Sequence, residues 1–460
     1  MESSKTFKAA SITASASVER QNILEDNTSR YKRTVDRAVL QYSNLELARK
    51  RAGFIRHKGI NGLEKYLIEF EANLERNGGK VIWAQDAEEA VKQIIAIIKK
   101  CGAKQIIKSS SIVTEEIELR DELKIENLDY AEVNPGEFIL NEFDEEPRHL
   151  SSILIHKSHD EITARLSEKY KISAKTGAIE IHDIIRKNCR ENFENSSVSI
   201  TGVNFLIADT GSVCLSENTA DGVISSVMPK IQIMIAGIDK IIPSIMNLDV
   251  LLPLYSTYST GEKLKAYNTI ISGPRQENEN DGPNEMYVVI LDNGRTNLLE
   301  QKLQRRALSC IECGACQNVC PVYQKIGGET YNTLYTGPIG SITTPWLKGV
   351  EDYIHLSYAS TLCGKCTEVC PVNINLHEQL LYNRSDAVRM NIHSLPEKMS
   401  MIGWHRILKS RKMMEWGSSK WKNITLRYVY GGKWGKDRAL PQISEKSFKQ
   451  LWEERREGAR

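Results

Sequence analysis

Seven of the ten cysteines fall between residues 310 and 370, whereas Cys101, Cys189 and Cys214 stand alone. The first run reads Cys310-Ile-Glu-Cys313-Gly-Ala-Cys316-Gln-Asn-Val-Cys320-Pro321, the spacing of bacterial [4Fe–4S] proteins. Three thiolates two residues apart can wrap one corner of a cube, and small Gly314 and Ala315 let the backbone approach the sulfides. The fourth cysteine lies one turn further on, points away and serves a different cluster. Pro321, lacking an N–H, redirects the chain. A second run, Ser360-Thr-Leu-Cys363-Gly-Lys-Cys366-Thr-Glu-Val-Cys370-Pro371, repeats the first in register with Ser360 in the first slot. Crossed pairing then assigns Cys310, Cys313, Cys316 and Cys370 to one [4Fe–4S] cluster. Cys320, Cys363 and Cys366 go to a second, which is one thiolate short. A serine hydroxyl ionises far less readily than a thiol of pKa about 8.5, so the second cluster is expected to lose iron in air and leave a [3Fe–4S] form. Structural zinc, with four ligands in two pairs, fits seven cysteines in two Cys-Pro runs badly.

Such clusters move one electron at a time, so two-electron chemistry needs a partner site. Between Cys320 and Cys363 lie 42 residues, too many for the short β-rich joint of a compact ferredoxin and enough for helices. An all-helical ferredoxin-type module, of the kind that relays electrons in flavin dehydrogenases, is the expectation.

Other candidate chemistry is weaker. The stretch Thr201 to Asn218 reads as two strands joined by Asp209-Thr210-Gly211-Ser212, either a hairpin turn or a loop whose N–H groups hold an anion. Ser272 to Pro283 is a Gly-Pro-framed polar loop in which Arg275 could bind a carboxylate, or a solvated surface loop. Lys108 with Ser109, Ser110 and Ser111 ends a strand and could contact an anion. His149, His156 and His159 match no metal motif and read as surface or satisfied core histidines, and Cys214 reads as a buried small hydrophobe. Neither GxGxxG after an early strand nor GxxxxGK[ST] occurs, so a nucleotide site lacks support.

The elements that must position these residues fall into four segments. Residues 1–75 read as amphipathic helices, over Arg30–Ala48 and Leu63–Leu74, without chemistry of their own. Residues 76–300 alternate. Strands are expected at Lys80–Trp83, Gln105–Lys108, Tyr130–Val133, Ser152–Ile155, Val198–Ala208, Ile231–Ala236 and Tyr287–Leu291. Helices are expected at Ala87–Lys100, Val113–Leu123, Asp160–Tyr170 and Ile181–Asn192, with N-terminal signals at Asp86 and Thr114. That alternation predicts an α/β domain with a largely parallel sheet. Residues 301–385 carry the cysteines, entered helically through Gln301–Leu308, and residues 386–460 form a basic, Trp-rich end.

With 41% hydrophobic and 26% charged residues the chain is neither fibrous nor disordered. The net charge of +2 conceals a split, +10 from Arg384 onward against −8 before it. The basic end includes Trp404, Trp416, Trp421, Trp434 and Trp452, and suits an acidic partner surface or peripheral attachment to anionic lipid. No run of 18 apolar residues and no secretory signal is visible, so a cytoplasmic protein is expected.

Thr201-Gly-Val-Asn, Ala208-Asp-Thr-Gly-Ser, Gly273-Pro-Arg, Asp281-Gly-Pro and Val288-Val-Ile-Leu-Asp-Asn-Gly-Arg295 resemble the lactate-utilisation (LUD) domain. Joined to the two cysteine runs, the chain resembles the lactate utilisation protein B family over about residues 30–455. That resemblance implies a NagB/RpiA/CoA-transferase-like α/β fold, and it shares the missing eighth cysteine at Ser360. It further implies electron transport during oxidation of L-lactate to pyruvate, together with two partner proteins of the same operon. A relay for another dehydrogenase, of glycolate or disulfide type, and a regulatory iron–sulfur protein are the alternatives. Nucleic acid is not an expected partner, and no residue is singled out as catalytic.

Overall fold

The computed structural model describes residues 2–103, 105–109, 111–171, 173, 177–392, 395–434 and 439–458. Two compact units are distinct, Met1–Arg389 and Met390–Arg460. The first is built on a parallel sheet of β1 (Lys80–Ala84), β2 (Gln105–Lys108), β3 (Asp129–Glu132), β4 (Val198–Gly202), β7 (Ile231–Gly237) and β10 (Glu285–Leu291), ordered β1-β10-β7-β4-β2-β3. The near-continuous apolar sequences of β7 and β10 belong to central strands buried on both faces. They pair in register, Ile233 beside Tyr287 and Ile235 beside Val289.

Alternate residues of these strands face opposite layers. Ile233, Ile235 and Val289 pack with Ala90, Ile94 and Ile98 of α5 (Ala87–Cys101). Met234, Val288 and Ile290 pack with Leu67, Phe70 and Leu74 of α4 (Leu63–Arg76) on the other side. Each such buried side chain is worth about 1.5–3 kcal/mol. The Asp86 carboxylate caps α5 by accepting the Glu89 N–H at 2.9 Å, and Gly102 at φ 64° ends it.

A second sheet, β8-β5-β6-β9, comprises β5 (Phe205–Ile207), β6 (Ser212–Glu217), β8 (Ile241–Ile242) and β9 (Tyr267–Ile271). The expected single strand over Val198–Ala208 therefore breaks at Val203–Asn204 and feeds both sheets. β5 and β6 form the antiparallel hairpin anticipated from the Asp209–Ser212 turn. The anion-loop reading of that turn fails, because α4 covers it. A Cβ on Gly211, at φ 62°, would lie 2.2 Å from the Leu74 nitrogen, and Asn77 donates to the Thr210 carbonyl at 3.0 Å.

Other expectations need correction. Ser152–Ile155 is loop, not strand. The helix expected over Val113–Leu123 is two, Ile112–Glu116 and Leu119–Ile125, broken where Glu118 turns to φ 54°. Its cap is Ser111, whose hydroxyl accepts the Thr114 N–H, rather than Thr114 itself. The helix expected across Arg30–Ala48 divides at Tyr42–Asn44 into α2 (Val18–Ala38) and α3 (Leu45–Asn61), following α1 (Glu2–Ala16). Asn44 caps α3. The approach to the first cysteine run is a 3-10 turn over Arg305–Ser309.

Beyond the sheet the chain is helical, with Gly337–Lys348, Val350–Tyr358 and Leu376–Arg389 packed beside the cysteine runs. This is the helical region that the 42-residue separation predicted. In the second unit, helices Leu395–Lys409 and Phe448–Glu457 bury none of their residues. Trp404, Trp416, Trp421 and Trp452 are exposed, while the Trp434 side chain lies outside the described residues. Among the described residues no helix is long and apolar enough to cross a membrane.

Candidate metal centre

The two cysteine runs fold alike. Glu312 and Leu362, each preceding the second cysteine slot, take φ of 56° and 54°, and Gly314 and Gly364, each following it, take 73° and 84°. Both positive-φ pairs wrap the chain before a short helix, Ala315–Asn318 or Lys365–Val369. In the first run the Glu312 N–H donates to Cys310 Sγ at 3.3 Å. In the second the Leu362 N–H donates to Ser360 Oγ at 3.1 Å. Ser360 thus holds the structural place of Cys310, with an oxygen where the sulfur would be.

Cys310, Cys313, Cys316 and Cys370 line one small cavity of about 20 Å3, walled by Leu150, Ile339, Val372 and Ile374. Burial, and then the negative charge of neighbours, pushes the Cys310 thiol up to about 12, and raises Cys313 and Cys316 strongly. The remaining three form another group. Cys320 feels Cys363, and Cys366 feels both Cys320 and Cys363. Cys320 and Cys366 are buried and Cys363 is exposed. One group is therefore interior and the other reaches the surface.

The helix α3 supports the interior group. Arg49, Gly53 and Arg56 lie four and three residues apart on one helical face. Arg49 donates to the Cys370 carbonyl at 2.9 and 3.0 Å and to the Glu368 carbonyl at 2.5 Å. A Cβ on Gly53 would sit 2.6 Å from the Val372 oxygen, so only glycine allows this approach. Arg56, 0% exposed, donates to the carbonyls of Ser309, Ile241, Asp239, Leu308 and Cys310. Among the described residues no carboxylate pairs with it. Burial of this guanidinium is costly and pulls its pKa down, opposed by the nearby carboxylate of Asp239, then the Cys310 thiol and Glu312.

These features fit a four-thiolate iron–sulfur cluster. Four thiolates crowded in an apolar cavity are unstable unless cationic iron compensates them. Four thiolates around an iron–sulfur core would carry a net negative charge, which Arg56 would help to offset through Cys310. When bound, the clusters supply single-electron transfer.

Sequence reasoning found no chemistry in α3. The signal was two arginines on a face otherwise carrying Ala52 and Ile55. It also missed the buried pairing of Arg295 with Glu116 (2.7 Å) and Asp239 (2.6 Å), joined by Tyr335 from the cysteine-bearing region. Lys108 is not an anion ligand, being buried in ion pairs with Glu115, Glu132 and Glu137 at 2.8, 3.2 and 2.9 Å. Ser110 lies outside the described residues. Arg275 bonds Asn284 on an exposed loop. His149 is a satisfied core histidine on Asn318, His156 pairs with Glu145 at 2.7 Å, and His159 lies at the surface beside Asp160. Cys214 is fully buried, and burial pushes its thiol up to about 12, as befits a small hydrophobe.

Fold and site define a parallel-sheet α/β protein of the LUD type, carrying a helical region with a 4Fe-4S dicluster domain. The LUD domain family matches residues 67–291, and the 4Fe-4S dicluster domain matches residues 306–374. Curated relatives named lactate utilization protein B, from Bacillus thuringiensis (strain Al Hakam), Bacillus cereus (strain AH187) and Bacillus anthracis (strain A0248), are 35% identical over 433 residues. The match covers 92% of this chain and 91% of theirs. The chain belongs to the lactate utilization protein B family. A DUF162 family protein from Deinococcus radiodurans aligns with 50% of this chain and 98% of its own at 12% identity, with a TM-score of 0.28, too low to bear on the fold.

Proposed function

We propose that the chain is the electron-carrying iron–sulfur component of L-lactate oxidation to pyruvate, working in the cytoplasm with two partner proteins of the same operon. It holds two [4Fe–4S] clusters. Cys310, Cys313, Cys316 and Cys370 ligate the inner one, and Cys320, Cys363 and Cys366 ligate the outer one. The reading rests above all on the convergence of those four cysteines, 60 residues apart at the extreme, on a single cavity. An interior site beside the α/β domain and a second site reaching the surface through Cys363 suit entry at one and exit at the other. The residues give no sign of a flavin or nucleotide site, so the two-electron step belongs to a site the clusters do not provide. Anaerobic co-purification with the two operon partners tests this. Addition of L-lactate should bleach the visible cluster absorption and generate EPR signals of reduced clusters. Bleaching by glycolate but not by lactate would instead make the chain a relay for another dehydrogenase.

Ser360 yields a sharper expectation. Its hydroxyl already occupies the place of the missing ligand, but an alcohol stays protonated where a thiol ionises. Air-exposed wild type should therefore lose one iron from the outer cluster and give a [3Fe–4S] EPR signal. Ser360→Cys should retain eight irons per chain under the same exposure. An outer cluster as air-stable in wild type as in the variant removes the three-thiolate reading.

The basic unit, with its exposed tryptophans, serves assembly in this scheme. Truncation after Arg389 should leave both clusters intact yet weaken co-purification with the partners, and that co-purification should fall as salt rises. Retention of the partners at low and high salt by the truncated chain would dismiss a docking role.

A further inference from the structure

The sheet changes direction between β2 and β4. After β2 the chain moves outward to β3, whereas from β4 it proceeds inward to β7 and β10. Ligands of open α/β sheets bind beyond the carboxyl ends of strands at such a reversal. Here the ends of β2 and β4 open into a cleft, lined by Ser109 and Ser111 on one side and Gly202 and Asn204 on the other. Its far wall comes from Glu217 at the end of β6, Tyr255 of the helix Leu248–Thr260 and Lys265 of the loop that follows that helix.

The polar groups of this cleft are held in place. Buried Asp221 accepts from Ser109 at 2.6 Å, from Asn134 at 3.3 Å and from Thr219, three residues that line the cleft. Glu217 accepts the N–H groups of Gly222 and Val223 through different oxygens, at 3.0 and 2.9 Å. Burial, and then the neighbouring Asp221, pushes Glu217 up to about 7.

The charges select the ligand. Glu137 is paired with buried Lys108 at 2.9 Å, and Glu312 with buried Lys240 at 2.5 Å. Lys265, whose ammonium lies 4.5 Å from the centre of the Tyr255 ring, has no carboxylate at ion-pairing distance among the described residues. Lys265 is the cation open to a ligand's carboxylate, and Glu217, which feels Lys265 but is held toward its protonated form by burial and Asp221, suits a ligand with a hydroxyl. A phosphate ester would call for more cations or a glycine-rich loop.

The cleft also shares a wall with the metal centre. Leu150 lines both spaces, Ser151 donates to the Cys313 carbonyl at 3.0 Å, and Glu312 sits between Cys310 and Cys313.

We infer that this cleft binds a small 2-hydroxy carboxylate, its carboxylate on Lys265 and its hydroxyl on Glu217, beside the loop that carries Cys310 and Cys313. The inference rests on the lactate-oxidation reading for the identity of the acid, but its site stands or falls separately.

Equilibrium dialysis of the full, anaerobically purified chain against labelled L-lactate, pyruvate and acetate tests it. L-lactate should bind, acetate at least tenfold more weakly. Lys265→Met should lower lactate affinity tenfold or more, with Lys265→Arg restoring most of it, at unchanged iron content and circular dichroism. Glu217→Gln should weaken lactate but spare pyruvate, which lacks the hydroxyl. Lactate binding equal in wild type and Lys265→Met overturns the assignment. So does an absence of binding to this chain while the three-protein mixture still reduces its clusters with lactate, a result that leaves the electron-carrying role standing. If the mixture shows no lactate-dependent reduction, that role fails, and the dialysis still decides the cleft.

Discussion

Cys370→Ala should abolish the cluster of the first run, although residue 370 belongs to the second. Four of eight irons per chain should be lost, and the surviving EPR signal should be that of the outer cluster. Cys320→Ala should do the reverse. The expectation follows from the cavity shared by Cys310, Cys313, Cys316 and Cys370, and from the mutual proximity of Cys320, Cys363 and Cys366, of which Cys366 also lies near Cys316. In each run the fourth cysteine precedes a proline, which in the first run opens the next helix, Pro321–Ile326, and its sulfur turns to other backbone donors. Cys370 Sγ takes the Ile374 N–H at 3.3 Å. Iron analysis with EPR of the two variants distinguishes crossed from uncrossed ligation. Loss of the Cys363–Cys366 signal in Cys370→Ala would establish the uncrossed arrangement.

Arg56→Met should be among the most damaging substitutions outside the cysteines. It strands five buried carbonyls, and a buried acceptor left without a donor costs about 1–3 kcal/mol. Relaxation and partial rescue by neighbours reduce the sum, so a loss of about 3–5 kcal/mol is expected. Where the variant folds, the inner cluster should be harder to reduce, because a positive charge beside it has gone and added negative charge is less well compensated. Arg56→Lys, which keeps the charge but not the fork of donors, should retain the potential better than the stability. Thermal melts and a redox titration of both variants separate the two roles. An inner potential unchanged in Arg56→Met would leave the guanidinium a purely structural clamp.

The cysteine pattern was legible because cluster ligation is local in sequence, and spacing alone sets which thiolates can share a corner. The central strands were legible for a similar reason, since Ile231–Ala236 and Tyr287–Leu291 are too apolar to lie anywhere but inside a sheet. The edges were less so. β9, with exposed Tyr267 and Ile270, carries no apolar run, and Ser152–Ile155 holds β-branched and apolar residues yet serves as a loop, with Leu154 packed beside Ile107 and Phe138. The contribution of α3 could not be read locally at all. Arg49 and Arg56 look like ordinary solvated charges on an amphipathic helix until the carbonyls they meet, more than 180 residues away at the nearest, are brought to them. The same holds for Arg295, whose partners Glu116 and Asp239 come from the short helix Ile112–Glu116 and the 3-10 turn Ile238–Lys240 of the α/β domain.

Arg49 and Cys370 are 321 residues apart, and this separation governs biogenesis. At about 5–20 residues per second, α3 leaves the ribosome roughly 16–64 s before its partner carbonyl is synthesised. Through that interval Arg56 can already meet the Asp239 and Ile241 carbonyls, but Arg49 and the notch at Gly53 have nothing to meet. The interior site cannot be walled before Cys370 and Val372 have been made, so its closure is a late step in the synthesis of the chain.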